Sequence, residues 1–343
     1  MPLSFSDFFV QLMENPTLLL TTLLLLGVLL VNGWTDAPNA ISAAVVTGAL
    51  PFRRAALLAA GCNFLGVLCV TKVNASVAET VYSIAHFGGG PKAALTALCA
   101  AMTAIVLWAG LAWAMGIPTS ESHALLAGIS GAAAALEGNF SCINPIAWTK
   151  VLLGLGLSLL MGFWAGEWSR RQLDSVKWNN HTFLLAQIPG AAGAAFLHGA
   201  QDGQKCMGVF LLGSALARGD GETAMGTAPV WLMGLCAGCM ALGTLMGGRK
   251  IIDTLGRDMV DIGPREGLAA DGAVMVCLLL STLLGLPVST THTRTAALLG
   301  VSCAGGCRPC WAVAGRVALV WLLTFPACMA IGYWTAQIFL SLL

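Results

Sequence analysis

Gly285-Leu-Pro-Val-Ser-Thr-Thr-His-Thr293 has a near copy earlier in the chain, Gly116-Ile-Pro-Thr-Ser-Glu-Ser-His-Ala124. At a constant offset of 169 residues, Gly116 pairs with Gly285, Pro118 with Pro287, Ser120 with Ser289 and His123 with His292. Ala127 with Ala296 and Gly131 with Gly300 extend the match. Each copy reads as a loop, a proline at a helix start, hydroxyl residues at the cap and a short apolar helix. Such a start leaves backbone N–H groups unpaired, with the positive end of the helix dipole behind them. That is an anion site in outline, and two of them in so apolar a chain suggest a protein that carries an anion across a membrane.

The 343 residues are 57% hydrophobic and 10% charged, where a soluble domain carries about a quarter charged residues. Apolar runs cover Thr17–Gly33, Ala55–Val70, Ala93–Met115, Ile146–Trp168, Phe183–Leu197, Cys206–Ala217, Val230–Gly247, Leu268–Leu284 and Trp311–Leu342. Several reach the ~20 residues that cross a bilayer, so the expected class is an all-α polytopic membrane protein. The first run follows Asp7 and Glu14 with no basic residue, which reads as a retained span and not a cleaved signal. The net charge of +1 points to no nucleic-acid or acidic partner. Most cysteines sit singly in apolar runs, where they behave as small hydrophobes. Cys303, Cys307 and Cys310 cluster in a Gly/Pro turn, but with no fourth ligand nearby they read as free thiols.

The first run stops at Asn32-Gly-Trp-Thr-Asp-Ala-Pro-Asn39 and resumes at Ala40, which predicts a broken helix with Asp36 and Asn39 in the gap. Pro51-Phe-Arg-Arg54 follows and is expected to face the cytoplasm. His198-Gly-Ala-Gln-Asp-Gly-Gln-Lys205 interrupts a later run in the same way, Asp202 answering Asp36 and Gly199 answering Gly33. Gly61-Cys-Asn-Phe-Leu-Gly66 is answered by Gly238-Cys-Met-Ala-Leu-Gly243, and a charged helix is expected over Arg249–Gly267. Three matches in one order indicate an internal duplication: residues 1–168, a basic linker over 169–180, and residues 181–343. Interrupted helices at corresponding places in two halves point to a transporter site at the repeat interface. Run counting leaves open whether the halves are inverted.

A carboxylate at membrane depth costs at least ~2.5–3.5 kcal/mol, so Asp36 and Asp202 are expected to be paired, protonated or lining a pathway. Beside an oxyanion they repel it, which makes sense if Na⁺ or H⁺ enters with the anion. Ser120, Ser122, Ser289, Thr290 and Thr291 supply donors suited to a tetrahedral oxyanion, although capping alone explains such residues. His123 and His292 follow as a matched pair. Glu121 occurs in the first copy only and is a candidate proton or cation ligand; Lys205 and Arg294, in the second half only, are candidates to neutralise the carboxylates or touch the substrate.

Asp36-Ala-Pro-Asn-Ala40 and Ala200-Gln-Asp-Gly-Gln-Lys205, with the two Pro-x-Ser-x-x-His stretches, resemble the inorganic phosphate transporter (Pit) family over nearly the whole chain. The resemblance implies an inverted-repeat α-helical secondary transporter, a homodimer in the inner membrane, moving phosphate with Na⁺ or H⁺ by alternating access and needing no other cofactor. Asp36 and Asn39 match the family's Asn-Asp-x-x-Asn motif, with Thr35 in place of its first Asn. In the second motif Asp202 matches, Gln201 replaces the Asn and Lys205 stands where the later Asn does. Thr35, Asp36, Asn39, Glu121, Gln201 and Asp202 are thus the expected coupling-cation residues. An ammonium at Lys205 competes with Na⁺ for the same carboxylate field, and the Gly-Gln-Lys ending resembles bacterial proton-coupled members. The expected coupling therefore shifts toward H⁺, with a divalent metal–phosphate complex as another form of the cargo.

A permease for sulfate or another oxyanion is the nearest alternative; phosphate carries a proton that an ionised Asp can accept, and sulfate does not. An intramembrane hydrolase using Ser120 or Ser122 with His123 and Asp36 is remote, because adjacent side chains on a helix start diverge and no Gly-x-Ser-x-Gly elbow is present. No enzymatic activity is expected.

Overall fold

The computed structural model describes residues 4–115, 118–219, 225, 227–254, 259–306 and 309–342. Gly116 and Cys307 lie outside them. Helix starts follow the local chemistry: Asn15, Asn144 and Asn179 cap with their side chains, and prolines fall in the first turn, where a missing N–H costs nothing. The first half consists of α1 (Phe5–Glu14), α2 (Pro16–Thr35), α3 (Ala37–Val46), α4 (Phe52–Val73), α5 (Ser76–Tyr82), α6 (Pro91–Ala114), α7 (Glu121–Glu137) and α8 (Pro145–Asp174). The second consists of α9 (Asn180–Arg218), α10 (Val230–Met246), α11 (Arg249–Asp253), α12 (Pro264–Leu283), α13 (Thr290–Ala304) and α14 (Trp311–Ser341). Counting α2 and α3 together, seven helices among the described residues are long and apolar enough to cross a membrane, so the chain is a multi-pass membrane protein.

Three expectations need correction. The first break shrinks to one residue: Asp36 alone separates α2 from α3, and its N–H still reaches Asn32 O at 2.9 Å. The second is absent, because α9 runs unbroken through His198–Lys205. His198, Gln201, Asp202 and Lys205 are three or four residues apart and so share one helix face, a polar stripe and not an interruption. The helix expected over Arg249–Gly267 is not continuous: α11 covers its start, residues 255–258 lie outside the described residues, 259–263 are non-helical and Pro264 opens α12.

Gly33 and Gly199 let helices cross at backbone contact. A Cβ on Gly33 would strike Met240 O of α10, and one on Gly243 would strike Leu30 O of α2. A Cβ on Gly199 would strike Asn63 O of α4, and one on Gly66 would strike Phe196 O of α9. The helices are exchanged: α2 lies on α10 as α9 lies on α4. Likewise Gly131 of α7 meets Met329 of α14, and Gly300 of α13 meets Phe163 of α8.

Helix α8 is ~45 Å long at 1.5 Å per residue, so its ends mark opposite faces. Near its start, Asn144 N bonds Ile84 O, His86 N bonds Cys142 O and Gly88 N bonds the carboxylate of Glu137, the last residue of α7. Near its other end, Arg170 Nε reaches Glu266 Oε1 at 2.8 Å and lies by Gly305, just past α13. Thr47, Gln187 and Pro264 O are bonded in series beside that pair. From a shared centre, then, α7 runs to one face and α13 to the other, the latter edged by Arg53, Arg54, Arg171 and Arg265. Gly243→Val is expected to force α2 from α10, an overpacking cost of about 1–3 kcal/mol, and to lower the melting temperature in detergent. Gly238→Val, where a Cβ meets nothing within 4 Å, should melt like wild type.

Candidate functional site

The two capped helix starts meet in the interior. Ser120 Oγ accepts from His123 N at 3.3 Å and Ser289 Oγ from His292 N at 3.2 Å, so both serines cap as Ser does elsewhere. The first-turn amides of each helix have no intrahelical acceptor. The rings of His123 and His292 lie 4.6 Å apart, edge to face. His123 stacks on Phe325 and His292 lies tilted against Trp321, both of α14, so the matched histidines pack against that helix.

Lys205 of α9 is the centre of the site. Its Nζ lies 2.6 Å from Asp202 Oδ1, 2.6 Å from Ser122 Oγ and 2.5 Å from the carbonyl of Val288. An ammonium has three hydrogens, and here each has an acceptor. Asp202 in turn receives Asn32 Nδ2 of α2 at 3.2 Å and Thr290 Oγ1 of α13 at 3.4 Å, with His198 Nε2 3.2 Å away. Its partners come from α2, α9 and α13, and all are buried.

Asp36 forms a second node. Thr291 Oγ1 donates to Asp36 Oδ1 at 2.8 Å, and Asn39 Nδ2 donates to Thr291 Oγ1 at 2.9 Å. Thr35 hydroxyl meets both Val31 O and a carboxylate oxygen of Glu121, one hydrogen facing two acceptors. Two small cavities flank Asp202, one lined by Asn32, Glu121, Ser122 and Lys205, the other by Asn39, His198, Thr290 and Arg294. Each has room for about one water molecule.

Residues 32–171, and again 167–332, match the phosphate transporter family. The chain belongs to the phosphate transporter family. It is 34% identical over 325 residues to a probable low-affinity inorganic phosphate transporter of Bacillus subtilis (strain 168), covering 92% of this chain and 96% of that protein. It is 33% identical over 312 residues to a protein described in the same words from Mycobacterium tuberculosis (strain ATCC 25618 / H37Rv), covering 89% and 73%. A solved structure titled "The sodium-dependent phosphate transporter" shares the fold with a TM-score of 0.85 at 20% identity, covering 96% of this chain and all of that one. Membership places the chain among transporters and not hydrolases.

In this family member the residues singled out by sequence divide into groups. Asp36, Asn39 and Thr291 are bonded together; Asp202, Lys205, Ser122 and Thr290 form the neighbouring node; Thr35 and Glu121 adjoin it. Gln201 points elsewhere, its amide bonding Thr282 Oγ1 at 3.0 Å and Leu286 O at 3.3 Å, so it anchors the loop into α13. Arg294 sits apart, paired with Asp271 Oδ1 at 2.5 Å. Sequence reasoning missed Asn32, His198 and Asp271. A lone carboxylate in the Leu268–Leu284 run carries the same insertion cost as Asp36 and was findable on that ground. Removing Lys205 strands a buried carboxylate, a loss of about 3–5 kcal/mol. Lys205→Met is therefore expected to melt well below wild type in detergent and the Asp202→Asn/Lys205→Met double variant to regain part of the loss; equal melting of single variant and wild type would contradict the pairing.

Proposed function

We propose that the protein is a secondary active transporter that moves inorganic phosphate together with protons, by alternating access to a site shared by α7 and α13. The observation that carries the coupling is the position of Lys205 Nζ, among a carboxylate, a hydroxyl and a backbone carbonyl. Hard cations are bound by such oxygens, and an ammonium tethered there fills the place a sodium ion would need. Coupling then falls to the carboxylates. Asp36, Glu121 and Asp202 are buried around one ammonium, and with all three ionised an entering oxyanion meets net negative charge. A proton taken up by the cluster lowers that repulsion, so that the anion can compete with Asp202 for the Lys205 ammonium and the Ser122 hydroxyl. Glu121 is the favoured carrier, because its contact with Thr35 is satisfied without competition when the carboxyl holds the hydrogen.

The matched glycine crossings and the opposed directions of α7 and α13 support two inverted repeats, residues 1–168 and 181–343. Each capped helix is fixed by its glycine contact to a long span, α7 to α14 and α13 to α8, and moves with it. Occupancy of the site by an oxyanion requires one of these pairs to swing outward, which opens the site to one face at a time. The basic face is the cytoplasmic one by the positive-inside rule, in a bacterial inner membrane.

In sodium-free proteoliposomes, an inward proton gradient is expected to drive uptake of labelled phosphate, with arsenate competing and sulfate not. Glu121→Gln should keep phosphate exchange at zero gradient and lose the response to pH. Strict dependence on a sodium gradient, with no response to pH, would overturn the coupling.

A further inference from the structure

One turn beyond Asp36 and Thr291, toward the basic face, lies a second polar group that the coupling does not use. Arg294 of α13 is 1% exposed and Asp271 of α12 is 0% exposed. Arg294 Nη1 holds Asp271 Oδ1, and Nε reaches Ser42 Oγ of α3 at 3.3 Å. The remaining nitrogen, Nη2, has no hydrogen-bond partner, and neither does Asp271 Oδ2. A guanidinium presents its donors in a planar fork, and an unpaired donor this deep costs free energy. Arg294 borders the small cavity that it shares with Asn39, His198 and Thr290. Asn39 is bonded to the hydroxyl of Thr291 and Thr290 to Asp202, so this cavity abuts the central nodes. The space and the idle donor lie on the path from the site to the face where α13 ends.

We propose that Arg294, with Asn39, Thr290 and His198, forms a second oxyanion station on the basic-face side of Asp36, through which phosphate passes as the site opens to that face. This rests on the phosphate-transport reading above. Asp271 gives the station its transience. In the closed site the carboxylate neutralises the guanidinium; when phosphate arrives, one edge of the fork serves the anion while Asp271 competes for the other. Bare Arg294 would trap phosphate, and the pair lets it go. An ordinary buried structural pair would instead lose stability when either partner is changed and would treat both membrane faces alike.

The test is phosphate exchange in proteoliposomes of known orientation, with the half-saturating phosphate concentration measured separately on each face. Arg294→Gln is expected to raise that value at the basic face about tenfold or more, the loss of a charge-assisted bond, and Arg294→Lys to raise it less. Asp271→Asn is expected to lower it and to slow net transport relative to exchange. The opposite face should change less than about twofold in every variant. If Arg294→Gln proves unstable, the Asp271→Asn arm decides alone: tighter binding confined to the basic face supports the station. Equal shifts at both faces, or weaker binding in Asp271→Asn, would overturn it while leaving phosphate transport intact. Absence of any phosphate exchange by the wild-type protein would remove the underlying reading as well.

Discussion

At Lys205 an ammonium meets three fixed acceptors in a place without bulk water, and most of the architecture serves to keep that meeting stable. A buried ion pair is costly unless its remaining hydrogen-bonding capacity is satisfied. Here Ser122 comes from the first turn of α7, Val288 from the loop into α13 and Asp202 from one turn earlier in α9. The same contact thus compensates the charge and ties the two capped helix starts to one central helix. The glycine crossings supply the close packing that exact placement of these groups needs, because a single added methyl at Gly199 or Gly66 would push α9 from α4.

The arrangement is bistable by construction. The two small cavities at the nodes are each too small for a phosphate ion, and Lys205 and the Thr291 hydroxyl donate to protein acceptors. An oxyanion has to replace those acceptors, and on the proposed coupling a proton on the carboxylate cluster is the change that makes Asp202 and Asp36 easier to replace. Coupling on this view needs no distant relay. It would arise because the carboxylates are buried beside the contacts that an anion has to replace.

The capped helices were legible in sequence because their signals are local: a proline, a hydroxyl three residues before a histidine, and an apolar run. The repetition of that pattern at a fixed offset marked the centre of the molecule. The stretch His198–Lys205 was misread for an instructive reason. Polar residues crowding an apolar run lower its hydropathy whether they break the helix or share one of its faces, and only the spacing of 198, 201, 202 and 205 tells the cases apart. Asn39 and Thr291 are 252 residues apart and their bond had no local signal. Arg294 was marked as a candidate, but its partner Asp271 escaped because attention fell on duplicated positions. Their counterparts at the same offset are Met102 and Leu125, so nothing in the first half pointed to Asp271 as the partner of Arg294.

The most direct measurement is an electron cryomicroscopy map of the full-length protein in saturating phosphate. The account predicts density for a tetrahedral anion within hydrogen-bond reach of the first-turn amides of both α7 and α13, with the Lys205 ammonium turned from Val288 toward it. Anion density elsewhere, with Lys205 still bridging Ser122 and Val288 and the two helix starts closed on each other, would contradict it.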